Sequence, residues 1–502
     1  MNRLNRRNFL KTTALGTAAL SIPARSWAAV PGANDAIRVA VVGFGGRGGD
    51  HISGMRGLKN KGACVVALCD VDQKILDAGV ESFAKRDEKV DGYTDLRKLL
   101  ENKNVDVITI ATPNHWHSLA AIWSVQAGKD VYVEKPVSHN VWEGRKIVEA
   151  ARKYGKMVQT GTQSRSSHAI KEAVEWVRAG NLGKIKVARG LCYKRRASIG
   201  KVDAPKPPPK EVDYDLWCGP APMAPIRRQR FHYDWHWIWN YGNGDLGNQG
   251  IHQMDIARWF LGEDALSPAV FSVGGRVGYE DDGETPNTQF VFHDYAKAPL
   301  IFEVRGLPDK PDSKDMDNFD HPKNGPWKVK DSKSGEKKEV RASVAVIIHC
   351  EGGYVVVPNY SGATAFDIEG EEVKSWNGAS NHYENFLDAV RSRKHTDLNA
   401  DILEGHLSSA LCHTGNVSYQ LGKEENPDAI REGLKSEKDA VETFGRMQEH
   451  LAANGVDLKE KKATLGMFLK MDPKNETFTN NKRANALLTR EYRKPYVVPE
   501  KV

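Results

Sequence analysis

Four short clusters in this 502-residue chain carry residue types suited to chemistry, and each follows an apolar run. The first is Gly43-Phe44-Gly45-Gly46-Arg47-Gly48, directly after Ile37 to Val42. Gly43 can make a tight turn, Gly45 lets the backbone approach a pyrophosphate, and Gly48 lets a following helix pack closely on the strand. Free N–H groups at that helix start, together with its dipole, favour an anion. The second cluster is Asp70, just past the apolar run Ala63 to Leu68, where a carboxylate can accept hydrogen bonds from a ribose diol. It stands 27 residues after Gly43, against a usual spacing of ~20. A lengthened helix and loop over His51 to Lys61 accounts for the excess. A carboxylate here repels a 2′-phosphate, so NAD is favoured over NADP. The third is Thr112-Pro113-Asn114-His115-Trp116-His117. The fourth is Glu134-Lys135-Pro136, with Gln163 after one more strand.

These clusters need elements that bring them together. Asp106 to Ala111, Val131 to Glu134 and Met157 to Thr160 read as further strands, and Ser118 to Ala127 and Trp142 to Tyr154 as helices. Strands alternating with helices predict a doubly wound parallel sheet, an α/β Rossmann domain over residues 34–162. Ligands bind beyond the carboxyl ends of such strands, where Thr112, Glu134-Lys135 and Gln163 all fall. In the second half, Ala269 to Gly278, Thr288 to Phe292, Leu300 to Arg305, Val344 to His349 and Tyr354 to Val357 read as strands without long intervening helices. That predicts an α+β domain over residues 163–423 with an open, mostly antiparallel sheet. Asp309 to Glu339 reads as an excursion loop, Pro205 to Pro209 as a rigid linker, and Asn381 to Val390 and Asp401 to Tyr419 as helices. Residues 424–502 form a charged, partly helical extension to which the sequence assigns no role.

Taken together and in order, Gly43-x-Gly45-x-x-Gly48, Thr112-Pro113-Asn114-x-x-His117 and Glu134-Lys135-Pro136 resemble the Gfo/Idh/MocA oxidoreductases, over about residues 36 to 420. The resemblance implies a Rossmann domain followed by a substrate domain, and a homo-oligomer. It sets Lys135 beside the nicotinamide and the reacting hydroxyl, with a cis bond to Pro136. The implied cofactor set is Gly43, Gly45, Gly46, Arg47, Gly48, Asp70, Thr112, Pro113, Asn114, His117, Glu134, Lys135 and Gln163. Within Gly242-Asn243-Gly244-Asp245-Leu246-Gly247-Asn248-Gln249-Gly250-Ile251-His252, the family's histidine matches His252. The family's aspartate position holds Asn248, an amide that cannot take a proton as a carboxylate can.

The chemistry follows from the groups. Oxidising an alcohol moves a hydride to the nicotinamide while a base takes the hydroxyl proton. An imidazole, with a pKa of ~6.5, suits that role, and a charged lysine can stabilise the developing alkoxide. Proton transfer is therefore assigned to His252 and electrostatic positioning to Lys135, the reverse split being open. Asn248 positions a substrate hydroxyl or the imidazole. The aromatic stretch Arg230 to Trp239 reads either as core packing or as a sugar platform. The substrate set is completed by Arg165, His232, Tyr233 and Trp235. His232 and His236 have the spacing of a metal pair, but no third ligand accompanies them and no metal is expected. Three outcomes are open: net oxidation of a sugar, sugar derivative or cyclitol; a redox-neutral glycosidase or lyase working by oxidation, elimination and reduction; and an NAD-bound sugar-binding protein.

The first 28 residues read as an address. Arg6-Arg7 precede Phe9-Leu10-Lys11, a mildly apolar run to Ile22 and Ser26-Trp27-Ala28, an order resembling a twin-arginine export signal. The expectation is a periplasmic protein exported folded, with its cofactor tightly held. Arg3, Arg6, Arg7, Lys11 and Arg25 lie in this segment, and removing these five from the net charge of +7 leaves +2. A nearly neutral body gives no electrostatic case for nucleic acid. After Ile22 no apolar stretch approaches the ~18 residues of a membrane span. Six cysteines in 502 residues exclude a disulfide scaffold.

Overall fold

The computed structural model describes residues 36–330 and 336–502. The export signal read at residues 1–28 lies outside the described residues. The six cysteines are free thiols.

Strands β1 (Ile37–Val42), β2 (Ala63–Cys69), β3 (Asp91–Tyr93), β4 (Val107–Ile110), β5 (Asp130–Val133) and β6 (Val158–Thr160) form one sheet in the order β3-β2-β1-β4-β5-β6. Every pairing is parallel. The order reverses between β1 and β4, so a crevice opens there at the strands' carboxyl ends. Helices α1 (Gly48–Gly57), α2 (Asn114–Gln126) and α3 (Val141–Lys153) follow β1, β4 and β5. β4 and β5 are buried at every position, which explains why they read as unbroken apolar runs. Two expectations are corrected. β3 escaped the sequence reading because Asp91-Gly92-Tyr93 has no apolar pattern. The loop assigned to Thr112–His117 is largely helix, because α2 begins at Asn114, immediately after Pro113 at its N-cap.

The second sheet is built on β7 (Ile185–Tyr193), β8 (Ala269–Gly275), β9 (Thr288–His293) and β10 (Leu300–Arg305). A short hairpin, β11 (Lys328–Lys330) and β12 (Lys337–Glu339), lies inside the excursion and stands apart from this sheet. The sheet continues with β13 (Val346–Cys350), β14 (Gly353–Val357), β15 (Gly362–Asp367), β16 (Glu372–Asn377), β17 (Lys423–Glu425), β18 (Ala463–Leu465), β19 (Leu469–Asp472) and β20 (Thr477–Phe478). Its main path runs β16-β15-β14-β13-β7-β10-β9-β8-β18-β17. β7 and β10 pair in parallel, while the other pairs are antiparallel.

Both faces of this sheet are covered. Helices α4 (His168–Arg178), α5 (Ile251–Leu261) and α6 (Ile402–Gln420) pack on one face through Ile170, Val174, Met254, Phe260 and Leu411. On the other face, α7 (Pro427–Leu434) and α8 (Lys438–Ala453) bury Ile430, Phe444, Met447 and Leu451 against Phe271, Phe290 and Phe292. β9 and β10 are therefore buried throughout. The extension beyond residue 424 thus supplies a layer of the second domain. Its end crosses back to the first, where Tyr496 and Val498 join the core of the parallel sheet.

Candidate active site

A cleft of about 670 Å³ opens at the switch point, lined by Gly43, Gly45, Gly46, Arg47, Asp70, Thr112, Pro113, Asn114, His117, Glu134, Lys135 and Asn248. Leu216, Trp217 and the segment Arg230–Tyr233, Trp235 and His236 close it from the second domain.

The glycine turn fits a dinucleotide on steric grounds. Gly43 has φ +75°, and a Cβ there would lie 2.9 Å from the Thr112 nitrogen. A Cβ on Gly48 would lie 2.1 Å from the Gly43 carbonyl, while Gly46 faces open space. The loop is therefore packed beneath and open above, as a pyrophosphate cradle requires. Asp70 is held by its own loop, accepting from the Phe44 N–H at 3.0 Å and the Asp72 N–H at 3.1 Å. Burial pushes its carboxyl above the usual range, against these two bonds.

Glu134 is buried and forms the floor. It accepts from Arg47 Nε at 3.0 Å, bonds His51 Nε2 at 3.1 Å and accepts from the Lys135 N–H at 3.3 Å. Burial opposes its charge, but His51, Arg47 and Lys135 together hold its carboxyl well below the usual range. The glycine turn and the strand end that carries Lys135 are thus joined through one carboxylate.

The Lys135–Pro136 bond is cis. Lys135 Nζ donates to the Asn248 carbonyl at 2.6 Å, leaving donor capacity for a second group. Burial lowers its pKa, with Glu134 opposing and Arg47, Lys194 and Arg196 assisting. Asn248 sits in a single wide turn, Leu246–Gly250, that runs into α5. Such turns often mark functional sites. Its side-chain amide makes no hydrogen bond among the described residues and borders the cleft. His252 follows four residues later, 5% exposed, with a buried Nδ1 that has no partner. Burial and then the nearby Lys135 charge push its imidazole down to about 3, so at neutral pH it is uncharged. Tyr360 lies over it, ring centroids 5.0 Å apart, and accepts from Gln249 Nε2 at 3.2 Å.

Other expected residues act at one remove. The two ring nitrogens of His117 lie 2.6 and 2.7 Å from the Pro136 and Thr112 carbonyls, between two strand ends, and the neutral ring donates to one of them. Asn114 donates to Asn243 at 3.1 Å, linking the first domain to the glycine-rich turn of the second. Gln163 does not border the cleft; its amide donates to the Tyr132 hydroxyl at 3.1 Å and to Glu134 at 3.4 Å. Arg165 does not border the cleft either. Its guanidinium donates twice to Asp255, at 2.9 and 2.8 Å, and pairs with Glu404. His232 lies beside the loop that follows Asp70, with Nε2 3.0 Å from Asp72. Tyr233 and Trp235 both border the cleft. His236, singled out from the sequence only for its metal-like spacing from His232, also borders it. This ring stacks on Trp235 at 3.7 Å and gives its Nδ1 proton to the Tyr233 carbonyl at 2.6 Å. Only the aromatic density of the stretch hinted at this.

Two family models match this arrangement, the NAD-binding Rossmann fold at residues 37–162 and the C-terminal α/β domain at 167–298, both of the Gfo/Idh/MocA oxidoreductases. The chain belongs to the Gfo/Idh/MocA oxidoreductase family. Among relatives in this family, a glycosyl hydrolase family 109 protein of Shewanella baltica is 34% identical over 179 residues, which is 31% of this chain and 39% of that protein. The inositol 2-dehydrogenase of Salmonella paratyphi B is 29% identical over 160 residues, 31% of this chain and 46% of the other. The chain thus matches less than half the length of these relatives. Among solved structures, the WlbA dehydrogenase of Bordetella pertussis, in complex with NADH and UDP-GlcNAcA, aligns with TM-score 0.52 at 19% identity, covering 75% of this chain and 94% of the other. Levoglucosan dehydrogenase, in complex with NADH and levoglucosan, aligns with TM-score 0.51 at 16% identity, covering 75% and 95%. At these identities the likeness is one of fold.

Proposed function

We propose that this member of the family oxidises a hydroxyl of a sugar, sugar derivative or cyclitol with NAD. The observation that carries the reading is the contact of Lys135 from the first domain with the Asn248 backbone of the second, both bordering the cleft floored by Glu134, with buried His252 one turn further along the segment that carries Asn248. Gly43 to Gly48 would hold the pyrophosphate and Asp70 the ribose diol. NAD, when bound, supplies the hydride acceptor. Lys135 orients the reacting hydroxyl and stabilises the charge that grows on its oxygen. His252, uncharged at rest, takes the proton. The Asn248 amide holds a neighbouring hydroxyl. A carboxylate at position 70, with Asp72 and Asp95 nearby, disfavours a 2′-phosphate, so NAD is preferred over NADP. The sequence order of residues 1–28 supports export to the periplasm by the twin-arginine route, where a tightly held cofactor would be an advantage. The family resemblance supports a homo-oligomer.

A second reading is favoured by the family 109 relatives: redox-neutral cleavage of a glycoside, by oxidation, elimination and reduction of the sugar within one turnover. A screen of free sugars, uronates, cyclitols and aryl glycosides, with and without added NAD, decides between them. Net NADH formation from a free polyol supports oxidation. Release of the aryl group without net NADH selects the second reading. Neither product from the holoenzyme would overturn both.

A further inference from the structure

The cleft has a second wall, and it comes from the far domain. Residues 211–213 run alongside the loop that follows Asp70. Gln73 N–H donates to the Glu211 carbonyl at 2.9 Å, Asp213 N–H donates to the Val71 carbonyl at 3.0 Å, and Asp72 and Val212 form an antiparallel bridge. His232 adds a bond from the same wall to Asp72 at 3.0 Å. The opposite rim is fastened too. The Trp217 carbonyl accepts from His115 Nε2 at 2.9 Å and from Trp116 Nε1 at 3.1 Å, both at the start of α2. Between these two seams, Leu216, Trp217 and Phe231 face a cleft whose floor includes Ile75 and Leu96. An apolar slot with an aromatic wall suits the flat face of a purine.

The wall is itself held from behind by the end of the chain. Arg493 donates to the Asp215 carbonyl at 2.6 Å and the Gly219 carbonyl at 3.0 Å, and pairs with the Asp215 carboxylate. The Tyr496 hydroxyl donates to Asp215 at 2.7 Å, and its ring packs edge-on against Trp116 at 5.6 Å. Residues 490–498 thus strap the helix Tyr214–Cys218 to the first domain.

We propose that residues 211–236 are the second wall of the dinucleotide site, contacting the adenosine half through Trp217, Phe231 and His232. The strap at residues 490–498 keeps that wall fastened, so that NAD(H) stays bound between turnovers. This inference rests on the cofactor reading above. Release of the dinucleotide requires the seam at Val71–Gln73 or the seam at His115–Trp116 to open. Each involves several hydrogen bonds that must break together, so a bound dinucleotide leaves slowly and a free one enters slowly.

The test uses the full-length holoenzyme loaded with NADH. Tryptophan-to-NADH energy transfer is followed after a chase with excess NAD, giving the dissociation rate. The unmodified protein should release NADH slowly enough to keep it through gel filtration. Arg493→Ala with Tyr496→Phe should raise the rate at least about tenfold, as should His232→Ala, an exposed position whose loss leaves the core intact. Should the strap variant fold poorly, His232→Ala carries the test alone. NADH that binds but leaves quickly, at one rate in all three proteins, would overturn the wall and strap while the cofactor reading stands. No NADH binding by the unmodified protein would overturn both.

Discussion

Replacing Glu134 with Gln removes one charge and almost no volume. The carboxylate is 4% exposed and meets Arg47, His51, the Lys135 N–H and the Gln163 amide. Removing one partner of a fully buried pair costs about 3–5 kcal/mol. Here the Arg47 side chain is 44% exposed and also pairs with Asp50, so it can be resolvated, and the glutamine oxygen still accepts. The expected loss is therefore nearer 2 kcal/mol, on the order of an unmade buried charge-assisted bond. The sign with pH follows from the direction of the shift. Glu134 is held below its unfolded value, so its contribution is complete above pH ~4.3, and falls away as the medium is acidified toward the folded value. Denaturation midpoints of the two proteins should differ at pH 7 and converge below about pH 4. The same substitution removes the group that opposes the lowered pKa of Lys135, so the alkaline limb of the pH–rate profile should move to lower pH. Equal stability at pH 7, or a difference that ignores pH, would refute the reasoning.

Three further outcomes are expected. Asp70→Ala should relax the preference for NAD, measured as the ratio of NADH to NADPH dissociation constants, and tighter NADPH binding by the unmodified protein would overturn the assignment. Lys135→Ala and His252→Ala should each lower turnover by ~10²–10⁴ while NADH affinity changes little, and the double variant should be scarcely worse than either single. Full activity of Lys135→Ala would remove the mechanism. Arg6→Lys with Arg7→Lys should retain the protein in the cytoplasm on cell fractionation, because the export receptor reads the arginine pair itself.

The parallel sheet was legible because buried strands have unbroken apolar runs and the chemistry sits at their ends: Val107 to Ile110 before Thr112, and Asp130 to Val133 before Glu134. β7, at the centre of the second sheet, was not legible. Ile185 to Tyr193 carries Lys186, Arg189 and Gly190, and Arg189 is buried only because Glu303 and Glu442 pair with it. No local pattern announces a partner more than a hundred residues away. The same reason hid the fate of Arg165, whose neutralising Asp255 lies on another helix. His252 and Asn248 could be named through the resemblance of the glycine-rich segment to the family pattern. The contact of Lys135 with the Asn248 backbone could not, because it depends on how the wide turn re-aims a carbonyl. The extension beyond residue 424 looked like an appendage because its apolar residues are sparse, although Phe444, Leu451 and Tyr496 are buried in two different cores.

The most direct test of the account is a crystal structure of the holoenzyme with NADH. The account predicts the pyrophosphate over Gly43 to Gly48, the ribose diol on Asp70, and the nicotinamide ring beside Lys135 with Asn248 and His252 across from it. A nicotinamide placed away from Lys135, or a ribose that leaves Asp70 unengaged, would contradict it.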